Sequence, residues 1–584
     1  MSLWARFERW LGSPRLSWRV AALAVGLSLP ALGVGFVADD HFLRATSLGL
    51  NPPELSLATK WDLFRFYSGD PALFARWLEL GIAPWWAPPD LKVAFWRPVA
   101  SALHQLDFTL WPDRPALMHA HSLAWLGALV LAAGALFRRL HAVAWVAALA
   151  TLLFAVDDGH GLPTGWIANR NALIATCFAA LALWAHDRWR RDGWRPGALL
   201  SLGAIGAGLL SGELALGALG GVLAHAWVFE KGTRARLGAA LPALVLVTVW
   251  RVAHALLGYG AHGSGLYVDP LHSPLAFAVA VVERLPLLLF AQLGGLSSDL
   301  WAFVARPVGL ALALLSALGC LVLGRGLFQL VRRDEVARFH ALWLVLAVLP
   351  GCATFPNDRL LMVASLAGAG LVAQALAAWR AGGLVSRRMA LFLVAVHLIV
   401  APLSLPARAG SMRVFAAASE RSFAAVPHDL PGKTLIVVNA PDGLMCAQIL
   451  AHGASLGIGL PARLRCLGVS RSPLVVSRTS ERTLVLEAQD GFFDGALDTL
   501  FRAPEIPWRV GEGPRLGAVT VTVGELTPAG KPKLLRAELD APLESEGHVF
   551  ITWRGSRYVR FTPPGVGERL DLPAISMSDV LFGQ

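Results

Sequence analysis

The sequence predicts a polytopic α-helical membrane protein carrying a C-terminal, mainly β domain outside the bilayer. Three observations predict it. Hydrophobic residues make up 55% of the 584 and charged residues only 16%, with a mean hydropathy of +0.55, too apolar for a water-soluble chain of this size. Apolar runs recur from Val20 to Pro406, most of them roughly the 17–25 residues that a bilayer core requires or a turn short of it. After Pro406 the composition changes to short alternating runs separated by Pro and Gly.

The runs Val20–Val37, Leu199–Leu210, Leu237–Trp250, Val308–Leu323 and Leu360–Ala378 read as spanning helices, and the whole pattern predicts about eleven spans. The net charge of +11 sits largely in short loops. Arg6, Arg9, Arg15 and Arg19 precede the first span, and clusters follow at Arg138/Arg139, Arg188/Arg190/Arg191/Arg195, Lys231/Arg234/Arg236, Arg332/Arg333/Arg338 and Arg380/Arg387/Arg388. The positive-inside rule makes these loops and the N-terminus cytoplasmic. The acidic loops, with Asp39/Asp40, Asp157/Asp158, Glu213, Asp269 and Asp358, then face the other side, together with the C-terminus. Without a small-residue cleavage site, the first apolar run reads as a retained anchor. Leu275–Phe290, interrupted by Glu283, Arg284 and Pro286, is expected to be interfacial, because a span there would invert every later loop.

Residues 1–406 form the predicted membrane domain. Its first extracytoplasmic loop, 38–117, is too long for a plain connector and contains amphipathic patterns at Ala58–Phe66 and Pro71–Leu80. Residues 407–584 form the predicted outer domain, with strand-like runs at Thr434–Val438, Thr483–Glu487, Ala518–Val523, Leu534–Leu539 and His548–Trp553. Cys446 and Cys466 fall in that domain, where an oxidising compartment permits a disulfide; Cys177, Cys320 and Cys352 read as inert thiols in or near spans.

Four polar clusters stand at the expected outer helix ends. Asp39-Asp40 places like charges side by side near lipid, which raises one carboxyl pKa and suits a general base, or else marks a solvated helix terminus. Asp157-Asp158-Gly-His160 offers carboxylates and imidazole to a divalent cation, or is a polar loop of capping acids. Arg170, beginning the next helix, suits a phosphate held by two parallel hydrogen bonds. Glu213 faces a cavity or pairs with an arginine, and Asp358, beside Arg359, serves a site or caps a helix.

In order along the chain, these pieces resemble the GT-C type integral-membrane glycosyltransferases, especially bacterial relatives of the transmembrane and tetratricopeptide-repeat O-mannosyltransferases. The resemblance rests on Asp39-Asp40, Trp96-Arg97-Pro98, Asp107-Phe-Thr-Leu-Trp111, His119, His160, Trp166-Ile-Ala-Asn-Arg170, Leu210-Ser-Gly-Glu213 and Asp358-Arg359 through Ser365. It covers residues 20–380. The family's acid after the arginine is replaced by Ala172, its Glu after the His by Leu162, its Lys before the Glu by Gly212, and its two tyrosines by Leu360 and Met362. The repeats are absent.

The resemblance implies sugar transfer from a polyprenyl-phosphate-linked donor to an acceptor hydroxyl of a protein or glycan. Transfer would take place on the outer face of a bacterial inner membrane, with inversion and with no nucleic acid involved. It implies Asp39 as base with Asp40 assisting or binding acceptor or metal, Arg97, Arg170 and Arg359 on the lipid phosphate, and His160 and Glu213 shaping the site. A divalent metal is compatible with this set and not required by it. A transporter or lipid-handling scaffold predicts midspan charges and inverted repeats, and no inverted repeat is evident. A degenerate relative predicts binding of lipid-linked sugar without transfer.

Overall fold

A computed structural model of the chain describes residues 15–51 and 59–583. Arg6, Arg9 and the start of the Ala58–Phe66 pattern lie outside the described residues. The chain separates into two compact units. The first holds the described residues up to Gly35 together with Phe95–Gly258 and Asp269–Met412; the second holds those of Phe36–Ala94, Tyr259–Val268 and Arg413–Gln584.

The first unit is helical and built for a membrane. Among the described residues, nine helices are long and apolar enough to cross one: Leu16–Gly33, Pro115–Leu140, Ile167–Asp192, Thr233–Leu256, Pro274–Gly294, Arg306–Arg333, Glu335–Ala353, Asp358–Arg380 and Arg387–Ala424. Shorter apolar helices at Ala144–Ala155, Pro196–Leu209 and Glu213–Phe229 accompany them. The expected run Leu199–Leu210 belongs to one of these, whose 14 residues extend about 21 Å, short of a core about 30 Å thick. Prolines start many of the helices, where the missing N–H costs nothing. Asp334 and Asn357 cap two others through their side chains.

Helices Ile167–Asp192 and Asp358–Arg380 form the centre of the unit and are enclosed nearly all round. Arg306–Arg333 instead turns Leu314, Leu318, Leu321 and Val322 outward, each 61–69% exposed, an apolar row suited to lipid. The basic loops meet each other at one set of helix ends. Arg139 bridges Asp187 and Asp192 at 2.8 Å, and Arg190 holds Glu230 at 2.7 Å.

Pro274–Gly294 differs from the interfacial stretch expected at 275–290. It is one continuous helix whose length and composition suit a span. The charges that interrupt its sequence are partnered: Glu283 takes bonds from Trp301 at 3.0 Å and Arg306 at 3.1 Å, and Arg284 donates to the Cys352 carbonyl at 3.1 Å. The last helix also differs. It continues past Pro406 to Ala424, with a wider π-type stretch at Ala395–Val400.

In the second unit, β1 (Arg65–Ser68), β2 (Lys92–Ala94) and β3 (Gly260–His262) make a small antiparallel sheet. The strands after residue 430 are β4 (Thr434–Val437), β5 (Arg463–Cys466), β6 (Leu474–Ser480), β7 (Thr483–Ala488), β8 (Val519–Leu526), β9 (Pro532–Leu539), β10 (His548–Arg554), β11 (Arg557–Arg560) and β12 (Arg569–Leu572). They form a mixed sheet ordered β11-β10-β4-β5 and a sheet ordered β12-β6-β7-β9-β8. All five predicted runs are strands. The parallel pair β4/β5 is joined by helix Gly443–Leu456, which Asp442 caps through the Met445 N–H at 2.8 Å.

The predicted amphipathic pattern Pro71–Leu80 is a helix over those same residues, capped by Asp70 and ended by Gly81 in the left-handed region at φ 82°. A Cβ on Gly81 would lie 1.8 Å from the Leu464 carbonyl oxygen, so glycine is required twice over. Arg465 donates to the Leu78 and Glu79 carbonyls at 3.3 and 2.7 Å, which closes the end of that helix. The first loop is therefore divided: residues up to Ala94 pack with the C-terminal strands and those from Phe95 with the spans.

Candidate functional site

Asp39 and Asp40 open helix Asp39–Leu48 in the second unit. Ala38 before them has φ 47°, a left-handed conformation that a residue with a Cβ rarely adopts. The two carboxylates differ. Asp40 is wholly buried and turns back to accept the Val37 N–H at 2.9 Å, whereas Asp39 is half-buried. His41 stacks on His452 at 3.9 Å between ring centres, and His452 stacks on Phe423 at 4.3 Å, which ties this helix to Gly443–Leu456 within the unit. Burial holds the His41 imidazole neutral, with its pKa down at about 3.

The other predicted residues lie in the first unit. Arg97 directly precedes the helix that begins at Pro98, and Glu213 follows the break at Gly212 between two short helices. The two meet: Arg97 Nε and Nη2 both donate to Glu213 Oε2, at 2.9 and 2.6 Å. Glu213 Oε1 is buried and accepts no hydrogen bond among the described residues. Arg97 also lies over Phe95, 4.5 Å from the ring centre.

Arg170 does not fit the phosphate role expected of it. Its side chain has no exposed surface, and its nitrogens serve Ser122 Oγ at 2.8 Å, the Met118 carbonyl at 2.7 Å and the Asp107 carboxylate. Asp107 is held from the other side by His121 at 2.7 Å. Burial pushes the Asp107 pKa up, but the His121 and Arg170 bonds outweigh it and keep the group below the usual carboxylate range. The arginine binds helices together.

His160 is also enclosed. Its ring packs edge-on against Phe154 at 4.7 Å, and neither nitrogen has a partner among the described residues. Desolvation lowers its pKa. The acids around it are collected by Arg408, which sequence reading did not single out. The Arg408 guanidinium bonds Asp158 at 2.9 Å, Asp358 at 2.6 Å and Asp299. Asp358 also accepts from the Ser298 N–H and hydroxyl at 2.8 and 2.6 Å.

Burial raises the Asp158 and Asp299 pKa values, with Asp157 and Asp358 respectively as the next cause; Arg408 opposes both shifts. The turn carrying Asp157–His160 lies close to this helix: a Cβ on Gly165 would meet the Ala409 carbonyl at 2.2 Å. The signal for Arg408 was a lone arginine two residues past Pro406, set apart from every basic loop.

Arg359 is half-buried, stacked 5.1 Å from the Trp166 ring centre and 5.7 Å from Phe355, and forms no salt bridge among the described residues. Of the three arginines expected on phosphate, it is the one with no salt bridge among the described residues. Among the described residues, no three His, Cys, Asp or Glu side chains are grouped to hold a metal ion. The acids that suggested a cation in the sequence surround a guanidinium instead.

No family model and no curated protein matches the chain. Solved structures do. The oligosaccharyltransferase of Archaeoglobus fulgidus, tethered to an acceptor peptide, is 13% identical with a TM-score of 0.38, over 78% of this chain and 64% of that one. The same organism's AglB, in complex with an inhibitory peptide and a dolichol-phosphate, is 13% identical with a TM-score of 0.39, over 77% and 64%. ArnT from Cupriavidus metallidurans, bound to undecaprenyl phosphate, is 13% identical with a TM-score of 0.31, over 76% and 84%. These neighbours are GT-C glycosyltransferases, and they do not reach as far as the tetratricopeptide-repeat branch expected from the sequence. The chain spans about 64% of the length of the archaeal enzyme. At these TM-scores the likeness carries neither a reaction nor residue roles.

Proposed function

We propose that this chain is a membrane glycosyltransferase of GT-C type that moves a sugar from a polyprenyl-phosphate-linked donor to an acceptor hydroxyl of a protein or glycan, with inversion. The observation that carries the reading is Arg359, a half-buried cation on two aromatic faces with no salt bridge among the described residues. Such a group suits a lipid phosphate, whose charge it meets without first breaking an ion pair. Polar groups occupy the joins between helices at 157–160, 211–215, 298–303 and 357–361, and the charges within the span Pro274–Gly294 are taken up by Trp301, Arg306 and the Cys352 carbonyl.

The chemistry is a single displacement. The acceptor oxygen attacks the anomeric carbon as the bond to the donor phosphate breaks, so the configuration inverts. A base takes the acceptor proton, and cations stabilise the departing phosphate. Asp39 fits the base because it keeps exposed surface, while Asp40 is committed to the Val37 N–H and holds the helix start. Arg359 takes the phosphate. Arg97 and Glu213 act as a pair, and Arg170 and His160 support the helices. The outer face of a bacterial inner membrane remains the proposed location.

Replacing Asp39 by Asn tests the base. Transfer from a radiolabelled polyprenyl-phosphate sugar should fall by about 10²–10⁴-fold at unchanged protein level and thermal stability. Undiminished turnover rules the assignment out. Replacing Arg359 by Gln should raise the donor concentration needed for half-maximal rate, and an unaltered donor dependence removes it from the phosphate site.

A further inference from the structure

Cys446 and Cys466 stand apart from the proposed site chemistry, and both belong to the second unit. Cys446 lies in the first turn of helix Gly443–Leu456, and Cys466 is the last residue of β5, the strand to which that helix leads. The crossover brings the helix start back over the carboxyl end of β5, where Cys466 is in register with Val437 of β4. The two thiols are unjoined, and Cys466 donates to the Gly468 carbonyl at 3.5 Å. Both line one cavity with Gly81, Trp85, Trp86 and Gly443. Cys466 is the more exposed of the two.

We infer that Cys446 and Cys466 are a modification site: a dithiol that closes to an intramolecular disulfide by exchange with an incoming disulfide. Burial pushes the Cys466 thiol up, so the exchange is favoured in alkaline buffer. There Cys466, on losing its proton, attacks one sulfur of the incoming disulfide; that bond breaks, and the other half leaves as a thiol after taking up a proton. Cys446, on losing its proton, attacks the Cys466 sulfur, forms the Cys446–Cys466 bond and releases the second thiol. The chain loses two electrons and two protons, and the reagent gains both. Closure brings the two sulfurs to a separation of about 2.05 Å. Cys177, Cys320 and Cys352 lie in the first unit and serve as internal controls.

The test uses the full chain in detergent. It is incubated with oxidised glutathione, denatured in N-ethylmaleimide, then reduced and labelled with iodoacetamide before peptide mass spectrometry. Cys446 and Cys466 should carry the second label in equal amount and appear joined in the unreduced digest, while the other three carry the first. Isolation with the pair already joined meets the same prediction. In Cys446→Ser, Cys466 should retain a glutathione adduct about tenfold more abundant than in the wild type, because the resolving thiol is gone. The inference is overturned if both thiols keep the first label after oxidation, or if the adduct is equally abundant in both proteins. Neither outcome touches the glycosyltransferase reading.

Discussion

Replacing Arg170 by Met separates a helix-binding arginine from a substrate-binding one. Both Arg170 and Asp107 have fully covered side chains, so removing the guanidinium leaves a buried carboxylate held only by His121, together with the Met118 carbonyl and the Ser122 hydroxyl without this donor. Breaking one side of such a pair costs about 3–5 kcal/mol. Thermal unfolding of the purified protein in detergent should show that loss, with the donor concentration for half-maximal transfer unchanged in whatever protein remains folded.

Two further results belong to the same account. Adding Asp107→Asn to Arg170→Met should restore much of the stability, because a neutral amide replaces the stranded charge. The gap between wild type and the single variant should also narrow in acid. Asp107 has a depressed folded-state pKa, so its contribution is present above the ordinary carboxylate value of about 3.9 and is lost as pH falls through the depressed one. An Arg170→Met protein of normal stability with a weakened donor dependence would refute the reasoning and return Arg170 to the phosphate site.

Other outcomes follow from the same structure. Arg408→Gln should destabilise the first unit, by about 3–5 kcal/mol as for other broken buried pairs, because Asp158, Asp299 and Asp358 then face one another; the loss should shrink in acid, and full stability at neutral pH in a thermal melt would contradict it. Gly81→Ala should cost about 1–3 kcal/mol or more from left-handed strain and the clash with the Leu464 carbonyl, read as a lowered unfolding temperature. Asp498 has its pKa pushed up to about 7 by burial and by Asp442, so its contribution is complete below the ordinary carboxylate range and is lost as pH rises through about 7. Asp498→Asn should therefore flatten the stability profile between about 4 and 7, and an identical profile in both proteins would exclude this titration.

The spans were legible because lipid demands long apolar runs, and the C-terminal strands because they either alternate in burial, as β6 and β8 do, or lie buried throughout, as β4 does. What escaped was set by contacts between distant parts of the chain. Trp85 donates to the Leu467 carbonyl at 3.1 Å and Arg465 reaches the end of helix Pro71–Leu80, so residues 36–94 join the C-terminal strands across several hundred positions that no local pattern connects. β5 was missed because its Arg-Leu-Arg-Cys sequence reads as polar, although Arg465 is buried against carbonyls.

Candidate site residues could be collected by type but not sorted by role. Arg97, Arg170 and Arg359 look alike in sequence, yet one pairs with Glu213, one is enclosed with Asp107 and one rests on Trp166 and Phe355. Sorting them needs their partners, which lie 63 positions away for Arg170 and 116 for Arg97. Arg408 was passed over because basic residues elsewhere follow the charge rule for loops, and this one lies inside a helix among acids.

The central claim is that a bond is made. Purified wild-type chain, reconstituted in vesicles with a polyprenyl-phosphate sugar labelled in both the sugar and the lipid, should release free polyprenyl phosphate in step with sugar appearing on an acceptor, and Asp39→Asn should do neither. Binding of the lipid-linked sugar with no release of polyprenyl phosphate across a panel of sugars and acceptors, in folded wild-type protein, would contradict it.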